Sequence, residues 1–331
     1  MSNTNSLFGG SEMMGVCYAP YHQAASVKKS AYTKADVDAD LKTTAKYFSF
    51  IRTYTVQGCQ QYLPELCKKH SLGVALGAWI FPGDSTSTNA EIDTALTQAS
   101  AHPDMVKAIV IGNEVDLASN GYTFKEVKAA FDYAVTELAK PKYSNISAVP
   151  LTICMTGSGP MSTTWSPLLN DMQSYAFLTI YPWYGQKGNH ENPAIGTPMT
   201  PGDISGNMQY SYDHGMSQAI AAGLEVVIAE IGWPSAGTSD ASTTWKDEVT
   251  NFKTTCKWIN GTNTYKKAFI TMWFEMFDEP WKTAEGPWGP HWGIYGATTP
   301  AVPAQPGKPA KPSIPPVIKT DAAGTTFTKC S

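Results

Sequence analysis

The chain has 331 residues, 42% of them hydrophobic and 16% charged, with a formal net charge of −4. That length can bury one large core or two smaller ones. The mildly acidic balance excludes nucleic acid and anionic membrane as main partners, and no apolar run reaches the ~18 residues of a membrane span.

The opening MSNTNSLFGG is polar and lacks the charged and apolar regions of a signal peptide. Residues 1–12 therefore read as an N-terminal extension, of either a cytosolic chain or a secreted one written without its leader. Two glycosylation sequons, starting at Asn145 and Asn260, favour the second.

Eight apolar, strand-like runs follow in order. They are MMGVCYAP from Met13, FSFIRTY from Phe48, LGVALGAWIF from Leu72 and VKAIVIGNE from Val106, then VPLTICMT from Val149, AFLTIYPWY from Ala176, LEVVIAEIGWP from Leu224 and AFITMWFEMF from Ala268. Near-continuous apolar strands are what a parallel sheet covered by helices requires. The gaps leave room for a crossover helix each. Thr123 and Glu126 have capping-box spacing ahead of Phe124, Val127, Phe131, Ala134 and Leu138. Thr88 and Glu91 repeat that spacing before Ile92 and Leu96, while Val37, Leu41 and Ala45 make another stripe, as do Val249, Phe252, Cys256 and Ile259. A strand and helix repeated eight times over about 250 residues predicts a single (β/α)8 TIM barrel across 13–296. A doubly wound open sheet is the alternative, without a Gly-rich phosphate turn to support it.

The eighth helix has no sequence to form it. From Pro300 to Pro316 prolines recur too often for anything but extended chain, so 297–331 reads as a tail, packed on the barrel or trailing from it. Six cysteines allow 15 pairings; Cys17 and Cys154 read as buried thiols, Cys67 and Cys256 fall on inward helix stripes, and Cys330 is placed to clip the tail to the body. No C-x-x-C or H-x-x-x-H occurs, so zinc is not expected, and no metal or other cofactor is called for.

In a barrel the C-terminal strand ends form the active face. Those ends carry Arg52 and Tyr54, Asn113 and Glu114, Tyr181, Trp183 and Tyr184, Glu230 with Trp233, and Glu275, Asp278, Glu279 and Lys282. Carboxylates converging with aromatics and an arginine describe a glycosidase site, where one acid protonates the leaving oxygen and another attacks the anomeric carbon. Trp233, fixed by Pro234, is a candidate stacking surface for a sugar, as are Trp165, Trp183, Tyr184, Trp281, Trp288 and Trp292. The blander account makes Glu230 a helix cap or a partner of Lys282.

Together IGNE, LTIYPWYG, AEIGWPSAG and WFEMFDEPWK resemble glycoside hydrolase family 17. The resemblance implies a (β/α)8 enzyme acting on β-1,3-glucan, with Glu114 as acid/base, Glu230 as nucleophile, and Glu279 and Lys282 assisting. It also implies that Asn113 holds the sugar 2-hydroxyl. Tyr181 is placed to hold the nucleophile. The match is closer to the fungal branch: GVCYAPY keeps Tyr18 of the plant pattern but not its Asn, and Ile231 stands where plant enzymes have Thr. The resemblance thus implies a secreted or cell-wall β-1,3-glucanosyltransferase, with glucan or laminari-oligosaccharide as donor and acceptor. A monomer is expected. A purely hydrolytic endo-β-1,3-glucanase and an inactive glucan-binding barrel are the alternatives. For a retaining enzyme the two carboxyls should lie about 5–5.5 Å apart.

Overall fold

A computed structural model describes residues 7–185, 204–238, 242–301 and 310–330. Eight parallel strands close into a barrel in sequence order. They are β1 (Met14–Cys17), β2 (Phe50–Arg52), β3 (Gly73–Ala78), β4 (Val106–Ile111), β5 (Leu151–Thr156), β6 (Tyr175–Thr179), β7 (Glu225–Gly232) and β8 (Thr271–Phe274). Each of the eight apolar runs supplies one strand. Successive residues of β1, β2 and β8 are all buried, because the barrel interior takes one face and the helical ring the other.

The ring comprises α1 (Lys34–Thr44), α2 (Leu63–His70), α3 (Ser85–Ala101), α4 (Phe124–Leu138), α5 (Ile204–Ser211), α6 (Ser217–Ala221) and α7 (Trp245–Ile259). Thr123 and Glu126 form the expected capping box of α4. The Thr88–Glu91 pair does not cap. Helix α3 is capped four residues earlier, by Asp84, whose side chain accepts from Ser87 N. Glu91 is instead buried, accepting from Val56 N at 2.8 Å and Trp79 N at 3.3 Å, so it ties together the loops after β2 and β3.

Two crossovers depart from the regular repeat. Between β5 and β6 the described residues hold only 3₁₀ turns, Gly159–Met161 and Ser166–Asn170, each with a proline in its first turn. After β8 come two more, Lys282–Glu285 and Gly289–His291, and no α-helix follows among the described residues. The C-terminal chain covers that seam. Bridges pair Thr299 with Ile314 and Tyr295 with Ile318, Phe327 is buried against Phe252, and Cys330 is disulfide-bonded to Cys256 on α7. The other four cysteines are free and buried. Residues 1–6 of the N-terminal extension and 302–309 of the Pro-rich tail lie outside the described residues. No described helix is long and apolar enough to cross a membrane.

Candidate active site

A cavity of about 1130 Å³ opens at the C-terminal ends of the strands. Glu114, Glu230, Asn113, Thr179 and Tyr181 all line it. The loops after β1, β2 and β8 contribute Tyr21, Lys29, Tyr54, Gln57, Gln60, Glu279, Trp281 and Lys282. Across the barrel, the loops after β4, β5 and β6 contribute Asp116, Asn120, Ser158, Met161 and Tyr184, while α5 and the helical turn after it contribute Tyr210 and His214.

Glu230 sits inside β7, which continues to Gly232; the strand does not stop at the glutamate as the sequence suggests. A bulge makes room. Leu178 pairs with Ile228 and Thr179 with Glu230, leaving Ala229 as the extra residue. The freed Ala229 carbonyl accepts from Arg52 Nη1 at 3.2 Å and Cys17 Sγ at 3.4 Å. Glu230 is 3% exposed. Its Oε1 accepts from Arg52 Nη1 and its Oε2 from the Tyr181 hydroxyl, each at 2.5 Å. Burial, then the Glu230 charge, push the Tyr181 phenol well above its usual range, which keeps it a donor.

Glu114 is reached differently. Gly112 and Glu114 both have positive φ, 74° and 45°, and for a glutamate that backbone is strained. The kink follows β4 directly and turns the carboxyl into the cavity. Asn120 Nδ2 holds the turn through the Glu114 and Asn113 carbonyls, at 3.1 and 3.3 Å. The carboxyl receives one hydroxyl, Thr179 Oγ1 to Oε1 at 2.7 Å. Burial and, second, the Glu230 carboxylate push Glu114 up to about 8; the Thr179 hydrogen bond opposes them. Thr179 is therefore the link between the acids: its strand partner is Glu230, and its side chain bonds Glu114.

Several residues expected to meet substrate lie elsewhere. Arg52 is 1% exposed and sits beneath the site, joining Glu230 to Asn113 Oδ1 at 2.5 Å. Tyr18 is 1% exposed and donates to Asp40 on α1 at 2.8 Å. Trp183 and Trp233 are buried edge to face at 5.1 Å, and Trp233 Nε1 donates to Thr243 at 2.9 Å. They are core, each 2% exposed and packed on the other. Trp288 packs on Trp183, and Trp165 on Phe124. Of the expected platforms, Tyr184, Trp281 and Trp292 line the cavity.

Glu275 is buried and does not line the cavity; it grips the Lys282 ammonium at 2.9 and 3.0 Å, and Glu279 does so at 2.7 Å. Glu279 and Lys282 do line it. Burial and the Glu279 charge push the Glu275 carboxyl up. Trp79, Asp116 and Thr179 were missed from the sequence. Trp79 directly follows β3 and Thr179 ends β6, so extending the strand-end rule to every strand finds both. Asp116 ties the loop after β4 to β5 through Thr156 N at 2.7 Å, a role with no sequence signal. Among the described residues no group of three His, Cys, Asp or Glu side chains is arranged to hold a metal ion.

Residues 15–293 match the BtgE/BtgC glycoside hydrolase domain. A glucan endo-1,3-beta-glucosidase btgC of Emericella nidulans is 24% identical over 318 residues, covering 85% of this chain and 43% of that protein. A probable beta-glucosidase btgE of Aspergillus terreus is 24% identical over 233 residues, covering 70% and 37%. The chain spans less than half the length of these curated relatives. Two solved structures share the fold. An endo-laminarinase from Formosa Hel1_33_131 has a TM-score of 0.64 at 20% identity, covering 86% of this chain and 83% of that one. An active-site mutant of Rhizomucor miehei beta-1,3-glucanosyltransferase in complex with laminaritriose has a TM-score of 0.63 at 17% identity, covering 91% and 96%. With its family domain filling the barrel from β1 to the strand-end seam, the chain belongs to the BtgE/BtgC glycoside hydrolase domain family.

Proposed function

We propose that the chain cleaves β-1,3-glucosidic bonds by a retaining mechanism, with Glu230 as nucleophile and Glu114 as acid/base. A Glu230 oxygen attacks the anomeric carbon, the bond to the bridging oxygen breaks, and Glu114 gives that oxygen its proton. Glu114 then takes the proton of an acceptor hydroxyl, whose oxygen displaces Glu230 and restores the starting configuration. The observation that supports this reading best is one cavity presenting two glutamates in unlike settings, one clamped by Arg52 and Tyr181 and the other pushed up to about 8. A pair separated in this way divides the work of acid and nucleophile. Arg52 fixes Asn113 for the sugar 2-hydroxyl.

Because Glu114 protonates the leaving oxygen, the leaving and acceptor sugars belong on the side formed by the loops after β4, β5 and β6. The donor then lies toward Tyr21, Trp281 and Glu279. We read transfer to a second glucan as the main outcome, with residual hydrolysis, by a monomer acting outside the cell on wall glucan. The name of the Emericella nidulans relative favours a second reading, plain endo-hydrolysis. Incubation with a short laminari-oligosaccharide separates the two. Products longer than the substrate support transfer, and products that are only shorter support hydrolysis. No cleavage at all contradicts both.

A further inference from the structure

Among the described residues no eighth helix stands behind the wall carrying Glu279, Lys282 and Trp292. What stands there is Lys319, beyond residue 293 where the family match ends. Its backbone N–H donates to the Ile294 carbonyl at 3.1 Å, and its side chain is 14% exposed. The ammonium donates to Asp278 Oδ1 at 2.7 Å, Ser235 Oγ at 2.5 Å and the His291 carbonyl at 3.3 Å. Glu248 Oε2 of α7 lies 3.8 Å away.

Each anchor neighbours a residue of the site. Asp278 precedes Glu279, His291 precedes Trp292, and Ser235 follows the β7 end that carries Glu230. The three segments also meet one another: Ser235 N donates to the His291 carbonyl at 2.8 Å and Gly293 N to Asp278 Oδ1 at 2.9 Å. A Cβ at Gly293 would fall 2.1 Å from Asp278 N, so their approach leaves no space for adjustment. Without the ammonium, Asp278 and Glu248 would be left at this seam with no lysine or arginine within ion-pairing distance among the described residues.

We propose that Lys319 is a positioning residue of the active site: one ammonium, delivered by the C-terminal tail, pins the segments after β7 and β8 that carry the cavity wall. The assignment of a catalytic consequence rests on the glucan-cleaving reading above; the pinning itself does not. The tail is attached independently of Lys319, by the Cys256–Cys330 disulfide, by buried Phe327 and by Trp245 Nε1 donating to the Thr325 carbonyl at 3.0 Å. A change at Lys319 therefore removes the pin and leaves the strap.

The test compares Lys319→Met, Lys319→Arg and Cys330→Ser in the 331-residue chain with the parent, by kinetics on a laminari-oligosaccharide and by amide hydrogen exchange. Lys319→Met should raise KM and lower kcat/KM by about tenfold to a hundredfold, since a small misplacement of a site wall is costly. Exchange should quicken in 276–282 and 289–295 and stay as in the parent through β3 and β4. Lys319→Arg should restore most of the kinetic loss, and Cys330→Ser should lower Tm with KM unchanged. A Lys319→Met protein with lower Tm but parental KM and parental exchange in 276–282 overturns the proposal. Should the parent cleave no β-1,3-glucan, the functional reading fails separately, and unchanged exchange alone then overturns the role of Lys319.

Discussion

The ends of β4 and β7 carry the same side chain and treat it in opposite ways. At β7 a bulge at Ala229 aims Glu230 while the strand continues, and donors occupy both carboxylate oxygens. At β4 the strand ends, the backbone turns left-handed at Glu114, and one hydroxyl meets the carboxyl in a setting that pushes it up to about 8. Identical residues thus sit in unlike settings through their neighbours, chiefly Arg52, which lies against Glu230 and reaches Glu114 only weakly, as the proposed division between acid and nucleophile requires.

Glu230→Ala breaks the comparison most severely. On the proposed mechanism it removes the attacking oxygen, so kcat for glucan cleavage should fall by about four orders of magnitude or more, measured with laminari-oligosaccharide. Arg52→Lys blurs the difference without deleting either acid. A point charge cannot reproduce the fork that spans Glu230 and Asn113, and kcat/KM should drop by about a hundredfold.

The pH profile sharpens the contrast. Glu114 must be protonated to act as the acid, so kcat/KM should decline as pH rises through about 8. Thr179→Val removes a donor that favours the ionised form, so this limb should move to higher pH while the protein folds as before. The smallest effect is on stability. Because Glu114 is raised from 4.5 to about 8, the unfolded chain releases the proton first, and the parent loses stability as pH climbs through that window. Glu114→Gln has no such loss. Its Tm advantage over the parent should grow from about pH 5 to about pH 8 and then level off, while cleavage of unactivated glucan is lost.

Much of this was legible in the residues, and for one reason. Strands buried on both faces must be written as unbroken apolar runs, so β1 to β8 and the two strand-end glutamates stand out. What failed depended on direction rather than identity. Trp183 and Trp233 follow strand ends, as sugar-facing residues do, but nothing local says whether an indole turns into the cavity or against its neighbour. Glu91 follows Thr88 at cap spacing, yet its partners, Val56 and Trp79, come from other loops. Arg52 was expected to touch substrate and instead lies beneath Glu230 and Asn113. The disulfide partner of Cys330 and the seam at Lys319 depend on where the tail lands, which no spacing encodes.

The pairing of the two glutamates across one sugar is tested most directly by trapping the glycosyl-enzyme. A 2-deoxy-2-fluoro β-glucosyl or laminaribiosyl donor with a good leaving group slows release of the intermediate, and peptide mass mapping then locates the attached sugar. The label should sit on Glu230, should still form in Glu114→Gln because an activated leaving group needs no proton, and should be absent from Glu230→Ala. A label on any other residue, or steady turnover of the donor with no labelled peptide, would contradict the account.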